Sequence, residues 1–299
     1  MRVWYSDPYV VPLPEGHRFP MGKYRRVREL LLERGVVRDE QLELSQPIER
    51  APLLRVHTAD YVRACFDGTL DEAALRRVGF PWSHELLQRS LASAGGTLSA
   101  ARWALKHGVA GNLAGGTHHA HADFGSGYCV FNDLAVTSAT LLDERLVERV
   151  LIVDLDVHQG DGTAAIFKTE PRVCTFSMHG AKNFPFRKQV STRDVELPDG
   201  CDDAHYLSLL DEHLPEVFES SAPSLVLYQA GVDALKEDAL GRLHLSHAGL
   251  RERDRRVFDL CWSRAVPVVV TLGGGYAKPI EASVEASVGT YLELRRRYG

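Results

Sequence analysis

The feature that most constrains this chain is a series of short runs without a polar face, at residues 3–5, 150–153, 173–176, 225–228 and 266–271. A strand with one exposed side alternates apolar and polar residues. These runs do not, so each is expected to be buried on both faces. Around them, apolar residues recur at helical spacing over residues 23–34, 59–66, 83–107, 132–142, 162–167, 203–218, 246–263 and 280–297. Strands separated by helices predict a mainly parallel sheet covered twice, a three-layer α/β/α architecture. No repeat or low-complexity linker divides the chain, and residues 1–299 read as a single domain. In such sheets ligands bind where loops leave the carboxyl ends of the strands.

Composition narrows the function classes. The formal net charge is −5, and no run of Lys or Arg is long enough to track a phosphate backbone. Nucleic acid is therefore not expected as a partner. The densest basic stretch, Lys23 to Arg28, reads as the solvated face of a helix. Five cysteines, Cys65, Cys129, Cys174, Cys201 and Cys261, are scattered without C-x-x-C spacing. That argues against a disulfide framework and a cysteine zinc site, and for a reducing compartment. Residues 1–20 show no signal-peptide pattern, and no stretch approaches the roughly 20 apolar residues of a membrane span. A cytoplasmic protein with no membrane partner is expected.

Four segments carry the chemistry. Residues 150–162 read Val-Leu-Ile-Val-Asp154-Leu-Asp156-Val-His158-Gln-Gly-Asp161-Gly. A period of two places Asp154, Asp156 and His158 on one face. Carboxylate and imidazole are ligands of divalent transition metals, and clustering them at a buried strand end is costly without a cation. A lone Asp or His there would be an ordinary loop residue. Upstream lie Gly115-Gly-Thr-His118-His119-Ala-His121 and Gly127-Tyr128-Cys129-Val-Phe-Asn132-Asp133. Paired histidines serve as ligands or as proton-transfer groups, although alone they are more often structural. His121 has no assigned role.

In the third segment, Asp233 follows the run at 225–228 and either caps a turn or supplies a further ligand. In the fourth, Thr271-Leu-Gly273-Gly274-Gly275-Tyr276, a glycine run follows a strand. No Lys-Ser/Thr comes after it, which argues against a P-loop. The alternative is a turn that projects Tyr276, whose hydroxyl would polarise a carbonyl.

These motifs, GGTHHA, GYCVFND, DLDVHQGDGT, GVDALKEDALG and LGGGY, resemble those of the histone deacetylase family, in the arginase–deacetylase superfamily, and occur in its order. Supporting matches such as residues 55–61 extend the resemblance over nearly the whole chain, most closely to the short bacterial or class IV-like branch. The resemblance implies a single α/β domain on an eight-stranded parallel sheet. It implies a metal, Zn²⁺ or Fe²⁺, on Asp156, His158 and Asp233, and a proton-transfer pair, His118 and His119, oriented by Asp154 and Asp161. It also implies a carbonyl-polarising Tyr276, and a structural K⁺ near Asp154 and Ser177 with carbonyls of Asp156, His158 and Met178. The reaction implied is hydrolysis of the amide of an acylated amine, foremost Nε-acyl-lysine.

There are departures from the family pattern. Gly127-Tyr128 stands where the substrate channel commonly has Gly-Phe, which adds a hydroxyl. The loop with Phe184-Pro-Phe186 differs from the class I pattern, and no acidic residue that grips the substrate backbone is evident. Rival readings are an acetylpolyamine or small-molecule amidohydrolase, a dimanganese ureohydrolase on the same sheet, and an inactive acyl-lysine-binding module.

Overall fold

Alternate residues of the central strands feed opposite layers. In β4 (Val150–Asp154), Leu151 and Val153 pack on one side, and Val150 and Ile152 on the other. In β7 (Leu225–Gln229) and β8 (Val268–Thr271), Val226, Tyr228, Val268 and Val270 face one layer, and Leu225, Leu227 and Val269 the second. Both faces are apolar, so both must be covered. Helices α1 (Lys23–Glu33), α8 (Asp203–Ser221), α9 (His247–Ser263) and α10 (Glu281–Tyr298) cover the first. The second lies under α3 (Ala59–Asp67), α5 (His84–His107) and α6 (Asp133–Asp143). The computed structural model describes residues 1–299.

Five more strands flank these: β1 (Arg2–Tyr5), β2 (Leu42–Leu44), β3 (Val109–Asn112), β5 (Val173–Gly180) and β6 (Arg193–Leu197), with β2 and β6 at the edges. The sheet order is β2-β1-β3-β8-β7-β4-β5-β6, and every neighbouring pair is parallel. The short helices α2 (Arg50–Leu53), α4 (Glu72–Val78) and α7 (Asp161–Phe167) complete the chain. The expected single-domain, three-layer α/β/α fold is the one observed.

The differences from expectation have physical causes. Strands β2, β3 and β6 are not evident in the sequence because none is an apolar run. β2 is three residues long and β6 (Arg-Asp-Val-Glu-Leu) is a charged edge strand, as edge strands tend to be. β3 (Val-Ala-Gly-Asn) has weak strand propensity, yet it is wholly buried. It is needed there because Gly111 lets the ring of Tyr291 in α10 come close; a Cβ would stand 2.6 Å from that ring. The run at 266–271 loses its first two residues, since Pro267 has no N–H for the ladder. β5 outlasts its predicted end, 176, because β6 pairs with it from Phe176 to Gly180.

Candidate active site

The four loaded segments leave the carboxyl ends of β3, β8, β7 and β4, which are four consecutive strands in the centre of the sheet. Because β4 ends at Asp154, the period of two does not place Asp156 and His158; the turn after the strand does. There Asp156, His158 and Asp233 converge, all buried, with one potential ligand atom from each lying within 4.8 Å of the others.

Each carboxylate has one oxygen held away from His158 Nδ1 and the other beside it, where Asp156 Oδ1 also accepts the His158 N–H at 3.0 Å. Asp156 Oδ2 accepts from Gln229 Nε2 at 2.7 Å and from the Gly274 N–H at 2.9 Å. Its Oδ1 lies 3.0 Å from His158 Nδ1. Asp233 Oδ1 accepts the Val157 N–H at 2.9 Å, and its Oδ2 lies 3.1 Å from the same His158 nitrogen. Burial and the neighbouring Asp156 push the Asp233 carboxyl above the usual carboxylate range. Two buried acids facing one imidazole nitrogen are poorly tolerated without a cation. The donor set, two carboxylates and one nitrogen, suits a divalent transition metal such as zinc or iron. The glycine turn is part of this geometry: a Cβ on Gly274 would collide with Asp233 Oδ2.

The tandem histidines are fixed from below. Asp133, at the start of α6 and fully buried, accepts the N–H groups of Gly116 and Thr117 at 3.0 and 2.7 Å. Asn132 holds the Ala120 carbonyl at 3.1 Å while its own Oδ1 caps α6. The two imidazoles then sit 4.1 Å apart, each with its own acid. His118 Nδ1 is 2.7 Å from Asp154, and His119 Nδ1 is 2.6 Å from Asp161. A ring nitrogen beside a carboxylate carries the proton, which leaves Nε2 of each ring for other work. Asp161 is shared with His121 Nε2 at 3.2 Å, giving the third histidine a structural partner.

Burial opposes charge on His118, but Asp154 and Asp156 outweigh it and raise its pKa to about 9. His119 has no second acid; burial and the charge of His118 hold it at about 4. Tyr276 completes the group. Burial raises its hydroxyl well above the usual value, so it remains an O–H donor at neutral pH. Asp154 is the register partner of Ser177 on β5, and both are buried with Met178.

The ligand triad, His118, His119 and Tyr276 line one cavity of about 450 Å³. Phe184, whose ring is 4.9 Å from His119, and Tyr128, 6.0 Å from Tyr276, contribute aromatic walls beside Gly127. Tyr128 adopts φ +66°, a left-handed conformation that bulky residues seldom take and that clusters at functional sites.

The chain matches the histone deacetylase domain over residues 17–291. It belongs to the histone deacetylase family. An uncharacterised protein of Picosynechococcus is 50% identical over 278 residues, covering 93% of each chain. Histone deacetylase 2 of Arabidopsis thaliana is 31% identical, over 92% of this chain and 74% of that one. Among solved structures, a histone deacetylase homologue from Aquifex aeolicus superposes with a TM-score of 0.85 at 26% identity. The match covers 99% of this chain and 84% of that one. A homologue complexed with SAHA gives 0.84 at 25% identity, with the same two coverages. The deacetylase is thus a hydrolase of this family on the family's fold. No helix is long and apolar enough to cross a membrane.

Several residues of this deacetylase site were not legible in advance. Lys23 is the clearest correction. Rather than lying on a solvated helix face, it is 3% exposed, and Nζ donates to the carbonyls of Gly275 and Gly273 at 3.2 and 3.4 Å. Arg28 of the same stretch pairs with Asp7. Asp238 accepts the Tyr276 N–H at 2.6 Å and those of Leu240 and Gly241, tying the loop of Asp233 to the glycine turn.

His57, 2% exposed, is a third such residue. Its Nδ1 meets the His121 carbonyl at 2.9 Å and its Nε2 accepts the Asn132 N–H at 3.0 Å, so the neutral tautomer is built in. Burial pushes its pKa down to about 4. The unfolded chain therefore binds a proton near pH 6.5 that the native state refuses, and stability falls as pH drops from 6.5 to 4. His57→Gln is expected to lack about 3 kcal/mol of that loss. Urea unfolding of both proteins at pH 7 and pH 4.5 measures it; an equal fall in the two would show that His57 is not the group.

Proposed function

We propose that this deacetylase hydrolyses the amide of Nε-acyl-lysine with a divalent metal on Asp156, His158 and Asp233. The observation that carries the reading is the pairing of each tandem histidine with its own buried acid, beside three convergent ligand groups and Tyr276. Zinc or ferrous iron held there would supply a Lewis acid for the amide oxygen and lower the pKa of a water.

The chain's own groups do the rest. His119 Nε2 accepts the water proton, since its Nδ1 is occupied by Asp161, and returns it to the leaving amine as the C–N bond breaks. His118, held between Asp154 and Asp156, keeps a proton and compensates developing negative charge. The Tyr276 hydroxyl donates to the amide oxygen as charge builds on it. Aromatic walls of Phe184 and Tyr128 suit the apolar stem of a lysine side chain. Asp154 and its register partner Ser177, with backbone carbonyls of Asp156, His158 and Met178, would hold a structural K⁺, whose hydration shell such oxygens replace.

The test joins two measurements. The metal-loaded protein is assayed on acylated lysine peptides and on acylated polyamines, and Asp233→Ala is analysed for metal content. We expect turnover of the lysine peptides and loss of about one metal per chain in the variant. Unchanged metal stoichiometry and affinity in Asp233→Ala would overturn the ligand assignment, and turnover confined to polyamines would move the substrate class.

A further inference from the structure

The cavity that holds the ligand triad and Tyr276 continues to the first turns of α5, where Leu86, Arg89, Ser90 and Ser93 line it with Tyr24 and Val11. Arg89 stands out chemically. It is 9% exposed, its Cζ lies 4.5 Å over the ring of Tyr24, and Nη1 donates to the carbonyls of Ser6 and Tyr9 at 3.3 Å each. No carboxylate pairs with it, and its side-chain neighbour is Tyr24.

Buried guanidinium groups ordinarily face a carboxylate. Arg253 does: burial opposes its charge, but Asp254 at 2.8 Å more than compensates and raises its pKa. Arg89 has no such acid. Burial lowers its pKa, and the acid that acts on it, Asp7, is already held by Arg28 at 2.8 and 2.9 Å. The other basic groups of the cavity differ. Arg76, Arg77, Lys182 and Arg242 are exposed; Arg77 lies over the Phe124 ring, and the others pair with Glu72 or Asp199.

We infer that Arg89 binds a carboxylate at the inner end of the acyl pocket and selects acyl chains that end in one, the dicarboxylic class such as glutaryl. The inference rests on the acyl-lysine reading above. Position supports it. Arg89, Tyr24 and Tyr276 line the same cavity, and Lys23 Nζ lies 5.1 Å from the Tyr24 ring that Arg89 overlies and 5.6 Å from the ring of Tyr276. An acyl group with its carbonyl at Tyr276 shares this cavity with Arg89. A cavity of about 450 Å³ has room well beyond an acetyl group. The guanidinium fork, with only the Nη1 bonds to the Ser6 and Tyr9 carbonyls committed to the backbone, matches a carboxylate in bidentate geometry.

The test compares glutaryl-lysine with pentanoyl-lysine, its near-isostere without the acid, on one peptide. Wild-type kcat/KM is expected to favour glutaryl by at least about tenfold, as a charge-assisted bond should, and Arg89→Gln to erase the preference while retaining pentanoyl turnover. Calorimetric binding of glutarate, pentanoate and acetate gives a readout independent of turnover. If no acyl-lysine is hydrolysed but glutarate binds more tightly than pentanoate through Arg89, the carboxylate site stands and the function proposed above falls. If the wild type treats glutaryl and pentanoyl alike, the inference is overturned, and that comparison needs no variant to fold. It is overturned equally if acetate and glutarate bind alike with the same dependence on Arg89, which would make this a site for released product.

Discussion

Replacement of His119 by alanine is expected to lower kcat on an acyl-lysine peptide by about 10²–10⁴-fold, the range for a lost general base, and to harm the reaction more than His118→Ala. The asymmetry lies in the acids around two adjacent rings. His119 meets a single carboxylate, Asp161, which it shares with His121. Burial and the neighbouring charge of His118 keep it neutral, with its Nε2 lone pair free. His118 has Asp154 at 2.7 Å and Asp156 Oδ1 4.0 Å from its other nitrogen. A ring flanked by two acids holds its proton and is a poor base. His118→Ala therefore removes electrostatic support but leaves the proton acceptor in place. Neither ring belongs to the ligand triad, so both variants should keep the metal. Measuring kcat together with metal content decides the matter. Greater damage from His118→Ala would invert the division of roles, and loss of metal from either variant would mean a different site.

Arg253→Leu is expected to destabilise the protein by about 3–5 kcal/mol, as breaking a buried ion pair does, and to weaken metal binding from a distance. Arg253 is wholly buried. Its Nη1 holds the carbonyls of Leu155 at 3.1 Å and Gly231 at 2.6 Å, one residue before Asp156 and two before Asp233. Asp254, its partner, also accepts from Tyr228 at 2.5 Å and from Thr290 at 2.7 Å. One guanidinium therefore ties together the two turns that carry the ligand carboxylates. Removing it leaves Asp254 buried and uncompensated and frees both turns. A surface pair gives the contrast: losing Arg63, exposed beside Asp60, should cost less than about 1 kcal/mol. Urea unfolding and metal titration of the two variants provide the measurement. An Arg253→Leu protein as stable as Arg63→Ala, with unchanged metal affinity, would show that the network is incidental.

The chemistry of this chain lies close to the surface of its sequence. Apolar runs that end in Asp154 and Asp233, a His-His pair and a Gly-Gly-Gly-Tyr turn are local patterns. Strand and turn constraints act over a few residues, so such patterns survive without knowledge of the fold. The layer architecture was legible for the same reason, since a run without a polar face must be buried on both sides.

What escaped the sequence depends on residues far apart in the chain. Lys23 reads as one more basic residue on a helix, and only the packing of α1 against the turn some 250 residues later buries it. Strand β3 looks like a poor strand, and it forms because β1 and β8 offer ladders on both sides. The partners of Asp156, from Gln229 and Gly274, span 73 and 118 residues. Residue types and short spacing by themselves determined the candidate ligands and the layered sheet, because these follow from local periodicity and ligand chemistry, while the reaction class rested on the resemblance of the ordered motifs to the histone deacetylase family. The tertiary structure alone decided that β3, β8, β7 and β4 are neighbours, which histidine faces one acid and which faces two, and that Arg89 is a buried cation without a carboxylate. Burial and charge pairing are properties of the space around a residue, and no spacing along the chain encodes them.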